Sequence, residues 1–318
     1  MKKLLMVLSI IGFMFAEGKI SGVTYFDFSA IDTKSAFNFQ RQYFGYGGEV
    51  SDQVSYKILF DVGRTNLGTT LNKEGNEISE DTRLVVFLKK AQINYKSSFG
   101  KFNFGLIGMN TYGIQESNWG YRFIEQSAID KNKFSATADI GVGFSRSLID
   151  NLNLSLLFVN GEGFKKPQGD KYHKIAFNAT YGEGNLNKND GYNAGLVYTT
   201  ESTDTDPTTM ASVFGGFAGM GLRLGGEYDM LTKGSVESNI ISVSANYTVR
   251  DNIDIFARYD MVDDNDDTNK NGNNYLVTGI VLGCDGGISV APNLRMVNYE
   301  NTEKKSEMEY KINFQFKF

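Results

Sequence analysis

One cysteine (Cys284), one histidine (His173), one tryptophan (Trp119) and three prolines in 318 residues exclude much chemistry before any pattern is sought. A lone cysteine cannot close an intrachain disulfide. With one histidine besides, the chain has no ligand set for a zinc cluster and no Cys–His catalytic dyad beyond a chance meeting of the two. A hydrolase built on histidine would have to use His173. That residue stands beside Lys171 and Lys174 with no motif around it, so a surface histidine is the favoured reading and no enzyme activity is expected. No cofactor and no metal site are expected either. After residue 16, no apolar run approaches the ~20 residues of a membrane-spanning helix. The formal net charge is −5, and without Lys2 and Lys3 it stands at 30 basic against 37 acidic side chains, the wrong sign for a nucleic-acid partner.

The chain begins MKKLLMVLSIIGFMFA. Lys2 and Lys3 make a basic start, residues 4–15 an apolar run, and Ala16 a small residue at a cleavage point. Residues 1–16 are therefore expected to be a secretory signal peptide, with 17–318 as the mature chain. Hydrophobic residues are 41%, low for a soluble core, yet 13% are aromatic and 35 residues are glycine. That balance suits a protein whose apolar surface is a band about 25 Å tall edged with aromatic rings. Once spanning helices are excluded, membrane residence requires a closed barrel, because backbone groups in lipid must be hydrogen-bonded internally.

The last residues read YKINFQFKF. Tyr310, Ile312, Phe314, Phe316 and Phe318 alternate with Lys311, Asn313, Gln315 and Lys317. On a strand this puts every apolar side chain on one face and every polar one on the other. VSYKILFDV, HKIAFNATY, LRLGGEYDM, SVSANYTVR and IDIFARYDM alternate in the same way. Charges on one face with apolar residues on the other fit a lipid-facing exterior and a wet lumen. A soluble barrel would show the inverse placement with the same alternation, and the leader together with the terminal phenylalanine decides between them.

Connections alternate between short (51–53, 98–101, 148–151, 251–252, 285–287) and long (65–82, 112–133, 160–172, 201–208, 263–274). Short periplasmic turns and longer extracellular loops are the habit of bacterial barrels. The expected fold is all-β, a transmembrane antiparallel up-and-down β-barrel of about sixteen strands. Fourteen and eighteen are the alternatives, because 41–46, 84–90 and 275–287 read ambiguously. No domain boundary is visible. NGEG (160–163) and YGEG (181–184) read as similar turn chemistry rather than duplication.

The order KAQINYKSS, FGK, FNFGLIGMN, a long loop with ESNWGYRFIE, then FSATADIGVGFS resembles the outer-membrane porins, in particular the diverse porins similar to the phosphate-selective group. ISVAPNLRMVNYEN resembles a penultimate porin strand, and the last strand resembles the signature that the barrel-assembly machinery reads. The resemblance implies a sixteen-stranded barrel among outer-membrane lipids and lipopolysaccharide. It further implies passive diffusion of small hydrophilic solutes or ions, often as a homotrimer. The alternative is a non-conducting structural or adhesin barrel. The solute is not implied, because the Arg and Lys ladders of phosphate-selective members are lacking here.

In porins the third long loop folds inward, and by strand count that loop is 112–133, with NWGYRFIEQS at its centre. Glu116, Trp119, Tyr121, Arg122, Glu125 and Asp130 are the expected constriction residues. Trp119 and Phe123 have the character of anchors on the barrel wall. Arg122 and Glu125, three apart, would share a face on a helical turn. A loop that covers the mouth or meets a neighbouring subunit is the bland alternative. Alternation makes Lys57, Asp61, Lys90, Asp139, Lys174, Arg223, Glu227, Asp229, Arg258, Asp260 and Arg295 the expected pore lining, with Arg250 and Asp254 a pair at the rim. The mixed signs suggest a transverse field, and the net acidity hints at weak cation preference. Asp263, Asn265 and Asp267 have the spacing that opens a calcium loop, but the glycine and closing glutamate it requires are missing. A solvated loop is the favoured reading there, ahead of divalent-ion bridging to lipopolysaccharide.

Overall fold

The computed structural model describes residues 18–65, 69–71, 77–265, 267–268 and 270–318. The leader expected at 1–16 lies outside the described residues. Sixteen antiparallel strands close into one barrel. Around the wall run β1 (Lys19–Ile31), β2 (Lys34–Glu49), β3 (Val54–Arg64), β6 (Leu84–Ser97), β7 (Gly100–Gly108), β8 (Ala138–Ile149), β9 (Leu152–Val159), β10 (Lys174–Gly182) and β11 (Gly191–Glu201). They continue with β12 (Thr208–Gly219), β13 (Leu222–Lys233), β14 (Val236–Arg250), β15 (Ile253–Asp263), β16 (Asn273–Cys284), β17 (Ile288–Tyr299) and β18 (Glu307–Lys317). Between β3 and β6, β4 (Thr69–Leu71) and β5 (Glu77–Glu80) form a separate hairpin. β18 pairs back onto β1, with Phe26 opposite Phe314 and their rings stacked at 4.6 Å. Sixteen strands match the expected number.

The outer surface follows from the alternation. Ile58, Phe60, Val142, Phe158, Leu196, Val243 and Ile255 stand exposed along their strands. Near the end with short turns the outer band turns aromatic, where Tyr46 meets Tyr56 at 5.7 Å, Phe102 meets Phe144 at 5.0 Å and Tyr181 meets Tyr192 at 6.2 Å. An apolar belt edged with rings is the outer surface a bilayer selects. The alternate residues of the last strand, Tyr310, Ile312, Phe316 and Phe318, share this exposed surface.

Two departures from the short-and-long rule stand out. At the long-loop end, β1–β2 and β13–β14 are joined by only two residues each, 32–33 and 234–235. At the short-turn end, residues 183–190 form a longer segment in which Leu186 is buried. A second kind of irregularity lies within the wall. Between β1 and β2 the register shifts so that Tyr25 faces Arg41 and Phe26 faces Phe39, which leaves Gln40 as an extra residue. Between β3 and β6, Leu59 faces Lys90 and Phe60 faces Leu88, which leaves Lys89 extra. A one-residue bulge reverses the alternation beyond it. Gln40 and Arg41 therefore both turn inward, as do Lys89 and Lys90.

Candidate functional site

Residues 109–137 leave the fifth barrel strand, β7, and are built of α1 (Gly113–Trp119), an irregular tip and α2 (Ala128–Lys131). Gly120 ends α1 with φ 78°, and a Cβ there would meet Arg223 Nη2 at 2.3 Å. The sharp turn in NWGY thus depends on glycine at that point.

This loop lies against one side of the interior. α1 packs on β12 and β13. In that stretch Gly215 pairs with Gly226 and Gly216 with Gly225, so four glycines make a shallow seat. Asn118 sinks into it, and a Cβ on Gly216 would meet Asn118 Nδ2 at 2.6 Å. Asn118 and Asn193 exchange two amide hydrogen bonds of 2.9 Å each. Ala128, Ile129, Tyr112 and Phe134 join Val197, Met210, Leu231, Ile240 and Val262 in one apolar cluster. Trp119, Tyr121, Phe123 and Ile124 pack with Phe256, Tyr275, Val277 and, across the seam of the barrel, Tyr25. From the short-turn end, the 183–190 segment supports α1. Ser117 donates to Asn185 Oδ1 at 2.9 Å, and Arg223 donates to Asn187 Oδ1 at 2.9 Å.

A peptide segment lodged inside a barrel must find donors for its carbonyls. The wall supplies them. Trp119 O accepts from Asn246 Nδ2 at 3.1 Å and from Arg223 Nη2 at 3.3 Å. Phe123 O accepts from Asn313 Nδ2 at 3.1 Å. Ile124 O and Gln126 O accept from the guanidinium groups of Arg295 and Arg258.

Several expected lining residues therefore do something other than face open water. Arg258 is fully buried, pairs with Asp260 at 2.7 Å and lies over the Trp119 ring. Asp229 is fully buried opposite Ser212 and has no ion-pair partner among the described residues. Glu227 lines a small recess behind α1 with Gln115 and Trp119. Asp139 is buried, and its carboxylate accepts from the N–H groups of Gly161 (2.8 Å) and Gly163 (3.2 Å), which fixes the loop after β9. Lys174 pairs with Glu201 at 2.9 Å. Arg250 and Asp254 are not bonded to each other. Arg250 is exposed, whereas Asp254 accepts from Tyr121 (2.8 Å) and Thr248 (2.7 Å).

Of the six expected constriction residues, Trp119 and Tyr121 are buried against the wall, and Glu116, Arg122, Glu125 and Asp130 border open space. Arg122 and Glu125 do not pair, because the tip between Tyr121 and Ser127 is not helical. Arg122 bridges Glu116 and Asp130, both at 3.0 Å. Glu125 accepts from Tyr275 at 2.7 Å and pairs with Arg295 at 3.1 Å and Lys131 at 3.6 Å. Burial alone would raise the Glu125 pKa. The cations Lys131, Arg295 and Arg258 and the Tyr275 hydroxyl outweigh it and hold it down at about 2. Burial pushes Glu116 up, against the opposing pull of Arg122.

The open space lies between the loop and the opposite wall. A cavity of about 150 Å³ is bordered by Asp27, Gln40, Arg41, Arg122, Glu125 and Lys311, among others. A second, of about 240 Å³, lies among Tyr43, Lys89, Lys90, Glu116, Arg122 and Asp130. Arg122 lines both. Asp61, fully buried, pairs with Arg41 and Lys89, each at 3.2 Å, and so ties the residues beside the two bulges together. Alternation placed Lys57, Asp61 and Lys90 on this wall but not Arg41 or Lys89, because a bulge cannot be read from strict parity.

The remaining candidates are plain. His173 is exposed and stacks on Phe158 at 4.9 Å. Asp263 and Asn265 accept from the backbone N–H groups of Asn265 (3.0 Å) and Asp267 (3.1 Å), an ordinary polar-loop pattern. Among the described residues, no group of three or more His, Cys, Asp or Glu is placed to hold a metal.

No family model and no curated protein sequence matches this chain. Solved structures do. OprB from Pseudomonas putida aligns with a TM-score of 0.67 at 12% identity, covering 100% of this chain and 97% of that one. The anion-selective porin from Comamonas acidovorans aligns at 0.65 and 10%, covering 95% and 100%. The trimer form of OmpT, an outer-membrane protein of Vibrio cholerae, aligns at 0.65 and 13%, covering 96% and 100%. At such identities the likeness is one of fold, and that fold is the sixteen-stranded barrel of bacterial outer-membrane porins.

Proposed function

We propose that this chain is an outer-membrane porin, a water-filled channel for passive diffusion of small hydrophilic solutes and ions. The observation that carries the reading is the lodged loop. Four of its carbonyls are held by Asn246, Arg258, Arg295 and Asn313, so it narrows the lumen against one wall and leaves a charged gap at the other. A barrel of sixteen strands is too wide for its own side chains to fill, so an inserted segment and the charges beside it would set what passes. The apolar outer band supports residence among outer-membrane lipids, with lipopolysaccharide at the long-loop rim. The exposed aromatic face of β18 supports reading by the assembly machinery, and a homotrimer is in keeping with the trimeric neighbour.

The chain is proposed not to be an enzyme. The stacking of His173 on Phe158 and its exposure speak for a surface residue. Purified protein in planar bilayers tests the channel directly. Discrete ohmic conductance steps are expected, and a membrane that stays silent despite folded protein would favour a structural barrel.

A further inference from the structure

We infer that the gap between Arg41 and Arg122 is a binding station for small oxyanions, which makes the channel prefer anions although the chain as a whole is acidic. The inference rests on the channel reading and deepens it.

The argument starts from the two bulges. On a regular strand only one of two neighbouring residues faces the lumen. The extra residue in β2 turns Arg41 inward beside Gln40, and the extra residue in β6 turns Lys89 inward beside Lys90. Bulges are a known means of re-aiming side chains at sites. Here two of them, on strands flanking β3, concentrate cations at one patch facing the loop.

The carboxylates of the gap are largely occupied. Asp27 is fully buried and accepts from Asn38 at 2.9 Å and from Gln40, with Lys311 at 3.9 Å. Asp61 is fully buried between Arg41 and Lys89. Asp130 accepts from Arg122 at 3.0 Å and Gln126 at 2.9 Å. Glu125 is bound by Tyr275, Arg295 and Lys131. Glu116 keeps the most open carboxylate, at 31% exposure.

The cations are not all occupied. Arg41 spends Nε on Asp61 and Nη1 on Tyr43, and Arg122 spends Nε on Glu116 and Nη2 on Asp130. Each keeps one terminal nitrogen without a partner among the described residues. Their side chains are 24% and 20% exposed, and both border the same cavity of about 150 Å³. Across the two cavities, six cations line the gap against four carboxylates. Asp61, beside Arg41 and Lys89, and Glu309, beside Lys311 (3.1 Å) and Arg295 (3.9 Å), bring the count level, so the asymmetry lies in what faces the gap and not in net charge. Lys90 forms no ion pair among the described residues. Planar guanidinium forks offering spare N–H groups on both sides of a gap suit phosphate, sulfate or carboxylate oxygens. Because the groups that face the narrowest point dominate permeation, these open donors, set beside carboxylates that are already bound, outweigh the acidic loops, and the weak cation preference suggested by net charge is reversed.

Recordings from the purified full-length protein in a planar bilayer under a KCl gradient test this. The zero-current potential is expected to have the sign of chloride preference. Phosphate, sulfate and a dicarboxylate, added in separate experiments, are expected to reduce chloride current saturably, and their order tells which oxyanion the station holds. Arg41→Gln is expected to move the zero-current potential toward potassium and to weaken the oxyanion effect. Arg41→Lys keeps the charge without the fork, so it should keep the chloride preference and lose most of the oxyanion effect. Folding of each variant is checked by its heat-modifiable gel mobility. Steps with potassium preference, or a chloride current indifferent to every oxyanion, overturn this inference and leave the channel standing. Absence of steps removes the channel reading and this inference with it.

Discussion

Arg295 of β17 and Glu125 of the inserted loop form an ion pair at 3.1 Å although 170 residues separate them in sequence. The same guanidinium donates to Ile124 O, so one wall residue holds both the side chain and the backbone of the loop tip. Glu125→Gln would take the anion from Lys131 and leave Arg295 only Glu309, at 3.9 Å. Breaking a buried pair from one side costs about 3–5 kcal/mol. The expected outcome is a lower thermal midpoint and a noisier open channel, read by unfolding in detergent and by single-channel recording.

The same pair sets a pH response. The Glu125 carboxyl is held at about 2 in the folded protein against an ordinary value of 4.5. A depressed carboxylate adds stability that is fully present above its unfolded pKa and is lost as pH falls through its folded one. At 1.36 kcal/mol per unit this is about 3 kcal/mol. Loop fluctuations in the open channel are expected to grow between about pH 4.5 and 2. In Glu125→Gln the part of that growth due to this group should be missing.

Trp119 is buried against Tyr121 and Phe256, and its Nε1 donates to Glu125 O at 3.0 Å. Trp119→Ala removes a large buried ring and is expected to cost about 3–5 kcal/mol. If the loop narrows the channel, mean conductance should rise as the loop loosens. An unchanged conductance with lowered stability would show that the ring acts on stability alone.

The glycine seat under α1 makes a sharper demand. A Cβ on Gly216 would come within 2.6 Å of Asn118 Nδ2 and 2.8 Å of Leu186 Cδ1. Gly216→Val is expected to displace α1 and the 183–190 segment together while the barrel still closes, since the clash lies inside the lumen. Gel mobility should report a folded barrel, and recordings should show a larger, less steady conductance.

Asp229 is expected to be a stability liability. Its carboxylate is fully buried and lacks an ion-pair partner among the described residues, with only the Ser212 hydroxyl opposite. Burying a carboxylate without a cation beside it is costly, and an amide of the same shape carries no charge to bury. Asp229→Asn should raise the unfolding free energy at neutral pH by about 1–3 kcal/mol, checked by denaturant titration of the refolded protein.

Much of the barrel was legible from local pattern. Side-chain direction on a strand depends on nothing beyond position along it, so alternation exposed the outer face from Ile58 to Phe316. Loop lengths then placed the insertion after the fifth strand. A further signal lies in the same strands. Val197, Met210, Leu231, Ile240 and Val262 interrupt the otherwise polar faces of their strands, and they form the wall on which the loop rests. The Gly-Gly pairs at 215–216 and 225–226 mark the seat of α1 in the same way. The functions of the charged residues were less legible. Arg258 and Arg295 read as pore charges, yet they bind loop carbonyls more than a hundred residues away.

By itself, then, the sequence determined the architecture: a closed barrel of an even number of strands, near sixteen, and the place of its longest ordered loop. These follow from period-two alternation and connection length, which are local. Only the tertiary structure decided which wall the loop covers, which carboxylates are already bound, and that Arg41 and Lys89 face the gap. A bulge is one extra residue whose presence is fixed by the partner strand, and a carboxylate's partners come from distant strands. Neither is written in the spacing of a single segment.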